Sequence, residues 1–194
     1  MIASDFIDET KLLLQQKSKH WHGRELFIHL SRAYNLLQFD LPYFSYKEDI
    51  GVLKGDDSFY LLFKPLENIS LQLNGIKCKY SNIENLYNHK DSRYCFEGEK
   101  VLLNFKAKTD CSVLICYKYA RELKNKGCTF DLPPQYLEAL RLLFLSFIYE
   151  KPILNTKERN LSSYYKKQYL VTINNIPKNT RNMAKNIKSK YQRI

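Results

Sequence analysis

The chain has 194 residues, 44% of them apolar and 14% aromatic, with only 6 Gly and 6 Pro. That composition excludes a wholly disordered, collagen-like or linker-like chain and suffices for one domain with a hydrophobic core. The net charge of +11 is uneven: nine basic residues and no acid follow Glu158, so residues 159–194 hold +9 of it.

Phe6, Ile7, Thr10, Leu13 and Leu14 recur at helical spacing and predict a first helix, with Ser4 or Asp5 as its N-cap. A second helix is predicted from about Arg24 to Phe39, with Leu26, Leu30, Ala33 and Leu37 as its stripe and Phe27 and Tyr34 beside it. The two are expected to pair as an antiparallel hairpin, and Pro42 blocks further extension. From Tyr43 to about Tyr119 helical periodicity is lost. Phe59–Phe63 is a compact apolar strand candidate. Ile69–Leu73 alternates with period two, meets the turn signal Asn74-Gly75, and continues as Ile76–Tyr80, which predicts a hairpin. Ile83–Tyr87 reads as a short helical turn. Arg93–Phe96, Val101–Phe105 and Ser112–Tyr119 supply further strands, about six in all. Helical texture returns after Asp131, a candidate cap, and Pro133-Pro134. The helix from about Gln135 to Glu150 has a broad apolar face and is expected to be the most buried. A last helix covers about Thr156 to Asn175, closed by Pro177. The expected fold class is α+β: a four-helix bundle with an antiparallel β insert between helices 2 and 3, and a flexible C-terminal arm. The divisions are a helical hairpin at 1–42, the β insert at 43–130, a second helical pair at 131–176 and a basic arm at 177–194.

No apolar run approaches the roughly 18–20 residues that span a bilayer. Asp5, Asp8 and Glu9 stand where a secretory signal needs basic and then apolar residues, so the expectation is a soluble, intracellularly made protein. The five cysteines, Cys78, Cys95, Cys111, Cys116 and Cys128, include no CxxC pair and are expected to be reduced thiols. His20-x-His22 lacks partners at metal-ligand spacing, so it reads as the end of a helix. Asp56-Asp57 after Gly55 is turn chemistry. No GxSxG, HExxH or phosphate-cradling glycine loop occurs. No catalytic, cofactor-binding or metal-ligating residue is therefore named, and the chain is read as a non-enzyme without a cofactor. The basic arm implies an acidic partner. Lys178, Arg181, Lys185, Lys188, Lys190 and Arg193 could contact phosphates and Tyr191 could stack on a base, which makes nucleic-acid binding an alternative function.

Four stretches carry a family likeness. Gly55-Asp56-Asp57-Ser58-Phe59-Tyr60-Leu61 leads to Ile69-Ser70-Leu71-Gln72-Leu73-Asn74-Gly75. Tyr94-Cys95-Phe96-Glu97-Gly98-Glu99-Lys100-Val101-Leu102-Leu103 follows. Then comes Phe130-Asp131-Leu132-Pro133-Pro134-Gln135-Tyr136-Leu137-Glu138-Ala139-Leu140, with Tyr164-Tyr165 in the final helix. In order and spacing, over roughly residues 5–176, the chain resembles the head-to-tail adaptor (connector) proteins of tailed bacteriophages, short-tailed-phage type. It departs at Asn104-Phe105-Lys106-Ala107, where family members often carry P-x-P. The resemblance implies a structural virion protein made in the bacterial host cytoplasm and placed in the neck. It implies a ring of its own copies, commonly twelve, beneath the portal protein, with a tail or nozzle protein docked below and viral DNA passing through the channel. No membrane partner is implied. The C-terminal extension would bind the portal through Lys178, Arg181, Lys185, Lys188, Lys190, Tyr191, Arg193 and Ile194.

Overall fold

The computed structural model describes residues 1–14, 21–150 and 156–176, the side chains of 156–159 excepted. The chain forms two compact units, one from residues 1–41 and 121–176 and one from Pro42–Ala120.

The first unit is helical: α1 (Ala3–Leu14), α2 (Gly23–Asp40), α3 (Pro134–Ile148) and α4 (Thr156–Asn175). Its centre is α3, on which both α2 and α4 pack. Nine of the fifteen α3 residues are buried, among them Tyr136, Leu140, Phe144 and Ile148, because apolar side chains cover nearly its whole circumference. The helix starts without a side-chain cap. Pro133, not Asp131, is the capping residue, and its carbonyl accepts from the Tyr136 and Leu137 amides at 2.9 and 3.0 Å. Pro134 fits the first turn, where no intrahelical N–H is needed. On α2 the expected stripe faces inward: Leu26, Leu30, Ala33, Tyr34 and Leu37 are buried. Gln38 is buried beside them. Its amide donates to the Arg121 carbonyl at 2.9 Å and accepts from the Arg121 amide at 2.6 Å, tying the returning chain to α2.

The expected antiparallel pairing of the first two helices is slight. Instead α1 is held by Phe6, whose ring meets Phe130 at 5.4 Å and Phe144 at 6.1 Å, and by Glu9, paired with Arg141 at 2.8 Å. Backbone bonds lace its start to the 126–130 segment: Ala3 N to Cys128 O, Ser4 N to Lys126 O, and Phe130 N to Met1 O.

The second unit is one seven-stranded sheet in the order β1-β7-β3-β4-β5-β6-β2. The strands are β1 (Ser45–Val52), β2 (Ser58–Tyr60), β3 (Pro65–Leu73), β4 (Ile76–Tyr80), β5 (Arg93–Glu97), β6 (Lys100–Leu103) and β7 (Cys111–Tyr119), with a 3-10 helix at Ile83–Asn88. At the β3–β4 turn Asn74 and Gly75 both have positive φ, 45° and 82°, as the primed two-residue hairpin turn requires. The pair β4–β5 is parallel, with Tyr80 opposite Tyr94, and the 3-10 helix makes the crossover between them. Inward residues alternate along the strands: Val113, Ile115 and Tyr117 on β7, Val101 and Leu103 on β6, and Leu71 on β3 are fully buried.

This overturns the expected four-helix bundle with an antiparallel β insert. The sheet is nearly closed and barrel-like, contains a parallel pair, and makes up a unit of its own. Its edge strands β1 and β2 are consecutive in sequence, and the segment after β2 reaches back across the gap. The Leu62 amide donates to Glu48 Oε1 on β1 at 3.0 Å, and the Phe63 amide donates to the Tyr117 hydroxyl on β7 at 3.2 Å. Sequence reading missed β1 altogether. Its buried positions are Glu48 and Val52, so no run of alternating apolar residues marks it.

Candidate functional site

The eight residues expected to bind a portal, Lys178, Arg181, Lys185, Lys188, Lys190, Tyr191, Arg193 and Ile194, all lie outside the described residues, as does His20. The described chain ends at Ile176, which is buried; Pro134, Gln135 and Glu138 near the start of α3 line a shallow pocket with it. Of the earlier basic residues in this stretch, Lys166 and Lys167 stand exposed on α4.

What the helical unit offers is outward apolar surface. On α2, Ile28, Leu36 and Phe39 are exposed, Ile28 at 57% and Phe39 at 63%. The spacing i, i+8, i+11 puts them on one face, opposite the buried stripe. Arg32 stands among them, its guanidinium 4.2 Å from the centre of the Phe147 ring and 3.5 Å from Glu150 Oε2. On α4, Tyr164, Leu170 and Val171 are exposed. That helix is fixed by its other side: Tyr165 stacks on Tyr149 at 5.7 Å with planes 16° apart, Tyr149 meets Trp21 edge-on, and the Tyr169 hydroxyl donates to Asp40 at the end of α2. Burial, and then the Asp40 carboxylate, push the Tyr169 phenol well above its ordinary range. Both helices are therefore clamped on one side and carry exposed apolar residues on the other, which on α4 stand among Lys166, Lys167 and Gln168. Such a face is what a chain buries against a further partner.

In the β unit the strongest polar node is Glu48 with Tyr117. The buried carboxylate accepts from the Tyr117 hydroxyl and from Leu62 N–H. Burial, then the hydrogen bond to Glu48, raises the Tyr117 phenol far beyond its usual value. Both groups are satisfied within the barrel, so the node reads as a closure device. Tyr94 is similar, buried and donating to Asn68 Oδ1, with burial as the main cause of its raised pKa.

All five cysteines are free thiols, Cys78 and Cys95 buried, and burial pushes both of these up in pKa. Low thiolate character suits packing better than nucleophilic chemistry. Among the described residues no group of three or more His, Cys, Asp or Glu is placed to hold a metal ion. Nor is any helix among them long and apolar enough to cross a membrane. Asp56 and Asp57 do what turn residues do: their carbonyls accept from the Ala107 and Leu103 amides, both at 2.8 Å.

The sequence reading missed the outer face of α2. Ile28, Leu36 and Phe39 are a second apolar stripe on a helix that already has one, and that doubling was the available signal. No protein-family model matches the chain, and no curated protein does.

Proposed function

We propose that the chain is a structural virion protein, a head-to-tail adaptor of a tailed phage. In this reading its copies form a ring below the portal, lengthen the DNA channel and dock tail components. The arm carrying Lys178, Arg181, Lys185, Lys188, Lys190, Tyr191, Arg193 and Ile194 reaches the portal.

The observation that carries the reading is the order of the four adaptor-like stretches. Each falls where the backbone makes a demanding change of course. Gly55–Leu61 contains the turn into β2, with Gly55 at φ 98°. Ile69–Gly75 runs along β3 into the primed turn. Tyr94–Leu103 is the β5–β6 hairpin, turning at Gly98 with φ 66°. Phe130–Leu140 is the entry to α3. Turns and helix starts restrict residue type more tightly than mid-strand positions do. A shared order of such points therefore supports a shared architecture better than a similar number of apolar matches would.

The outward faces of α2 and α4 add support. A ring uses the same two surfaces on every copy, and exposed Ile28, Leu36, Phe39, Tyr164, Leu170 and Val171 give each copy apolar area to bury. The alternative, nucleic-acid binding through the arm, is favoured by one observation, the +9 charge of residues 159–194. The adaptor reading accounts for that charge as well, through contact with an acidic portal surface.

Immunogold electron microscopy on particles from virus-producing cells, with antibody to this chain, tests the location. The adaptor reading expects gold at the neck between head and tail. Purified particles that lack the chain contradict it.

A further inference from the structure

One cleft in the β unit is assigned no role by the adaptor reading. It has a volume of about 410 Å3 and is lined by Lys90, Lys106, Lys108, His89, Asn74 and Asn104, among others. The three lysines are exposed and form no ion pair among the described residues. One carboxylate, Asp91, also lines it, and its charge is already engaged. Arg93 Nε stands 2.8 Å and Lys79 Nζ 3.0 Å from its oxygens. These hydrogen bonds, that from Arg93 first, hold the Asp91 carboxyl well below the usual carboxylate range.

The cations do not ride on free loops. Asn104 fixes the loop that carries His89 and Lys90: its Nδ2 donates to the His89 and Asp91 carbonyls at 3.2 and 2.8 Å, and its Oδ1 accepts from the Arg93 amide at 2.8 Å. Ala107, between Lys106 and Lys108, is buried. Its amide donates to the Asp56 carbonyl and its carbonyl accepts from the Gly55 amide, both at 2.8 Å. The opposite wall is pinned by a reciprocal pair, Asn74 N to Ser112 O at 2.9 Å and Ser112 N to Asn74 Oδ1 at 3.0 Å. Like charges held around one concave surface repel, and a concavity with low-dielectric walls concentrates their field. The arrangement is relieved by a multivalent anion, and fixed loops lose little freedom when one binds.

We infer that this cleft binds phosphate groups, with Lys90, Lys106 and Lys108 as the charged contacts. The inference stands apart from the adaptor reading. It concerns residues 74–111 and needs neither a ring nor a portal.

The test titrates full-length protein with inorganic pyrophosphate and, separately, with a short thymidylate oligonucleotide. Lys106→Glu/Lys108→Glu is compared with Lys47→Glu/Lys64→Glu, which changes charge equally at exposed sites elsewhere in the unit; Lys90→Glu probes the other loop. Circular dichroism verifies that each variant is folded. The cleft variants should weaken pyrophosphate binding by about tenfold or more, as loss of charge-assisted hydrogen bonds implies, and the matched variant by less than about twofold. A parallel loss for the oligonucleotide identifies a nucleic-acid backbone as the source of the phosphate, and a loss confined to pyrophosphate identifies a free polyphosphate. Absence of saturable pyrophosphate binding, or equal weakening by the matched variant, overturns the inference.

Discussion

Glu48 decides more of this structure than its residue type suggests. A carboxylate at 3% exposure must be satisfied locally, and Tyr117 and the Leu62 amide do so. Together they join β1, β7 and the segment after β2, and so bring the two sheet edges together. Glu48→Ala removes the acceptor and leaves the buried Tyr117 hydroxyl and the part-buried Leu62 amide short of a partner. We expect a loss of about 1–3 kcal/mol in urea unfolding, with Glu48→Gln, which keeps a carbonyl acceptor, costing less. Equal stability of Glu48→Ala and the unaltered protein would show that the closure is held by other contacts. The same residue explains why β1 was not legible. Period-two reading looks for apolar residues on the inner face, and here a polar residue stands there because its partner, Tyr117, is 69 positions away.

At the level of elements, what was legible was what neighbouring residues specify. The Asn74-Gly75 hairpin, the inner stripe of α2 and the burial of α3 follow from local turn chemistry and periodicity. The parallel β4–β5 pair and the nearly closed sheet were not legible, since pairing between strands without a tight turn leaves no local signature. The cleft was hidden for the same reason. Lys90 and Lys106 are brought together by Asn104, which sequence reading noted only as a departure from a family pattern. Three tyrosines each anchor one element: Tyr169 on α4, Tyr117 on β7 and Tyr94 on β5. All three have raised pKa values, chiefly through burial. For a group raised in the folded state, the stability it contributes is complete below the unfolded value, near 10, and is lost as pH rises above it. Absorbance titration of phenolate, followed together with far-ultraviolet dichroism, tests this. The three anchors should ionise only with a loss of far-ultraviolet dichroism. Ionisation of every tyrosine near pH 10 with dichroism unchanged would contradict this.

For the whole molecule, charge and surface matter most. The β unit is close to neutral, and the excess of positive charge gathers in residues 159–194, where no acid offsets it. That gradient was legible from composition alone. The arm residues named for portal contact lie outside the described residues, so their assignment rests on the family resemblance and on charge. The helical unit contributes what an assembling subunit needs, two helices clamped on their inner sides with Ile28, Phe39, Tyr164 and Val171 turned outward. The measurement that bears most directly on the adaptor reading is an affinity pull-down from virus-producing cells in the presence of nuclease. It compares the full chain with a version ending at Ile176, and bound proteins are identified by mass spectrometry. The adaptor reading predicts nuclease-resistant recovery of a portal-sized ring protein by the full chain and its loss on truncation. Recovery of nucleic acid alone, abolished by nuclease, would contradict that reading and leave the arm a phosphate binder.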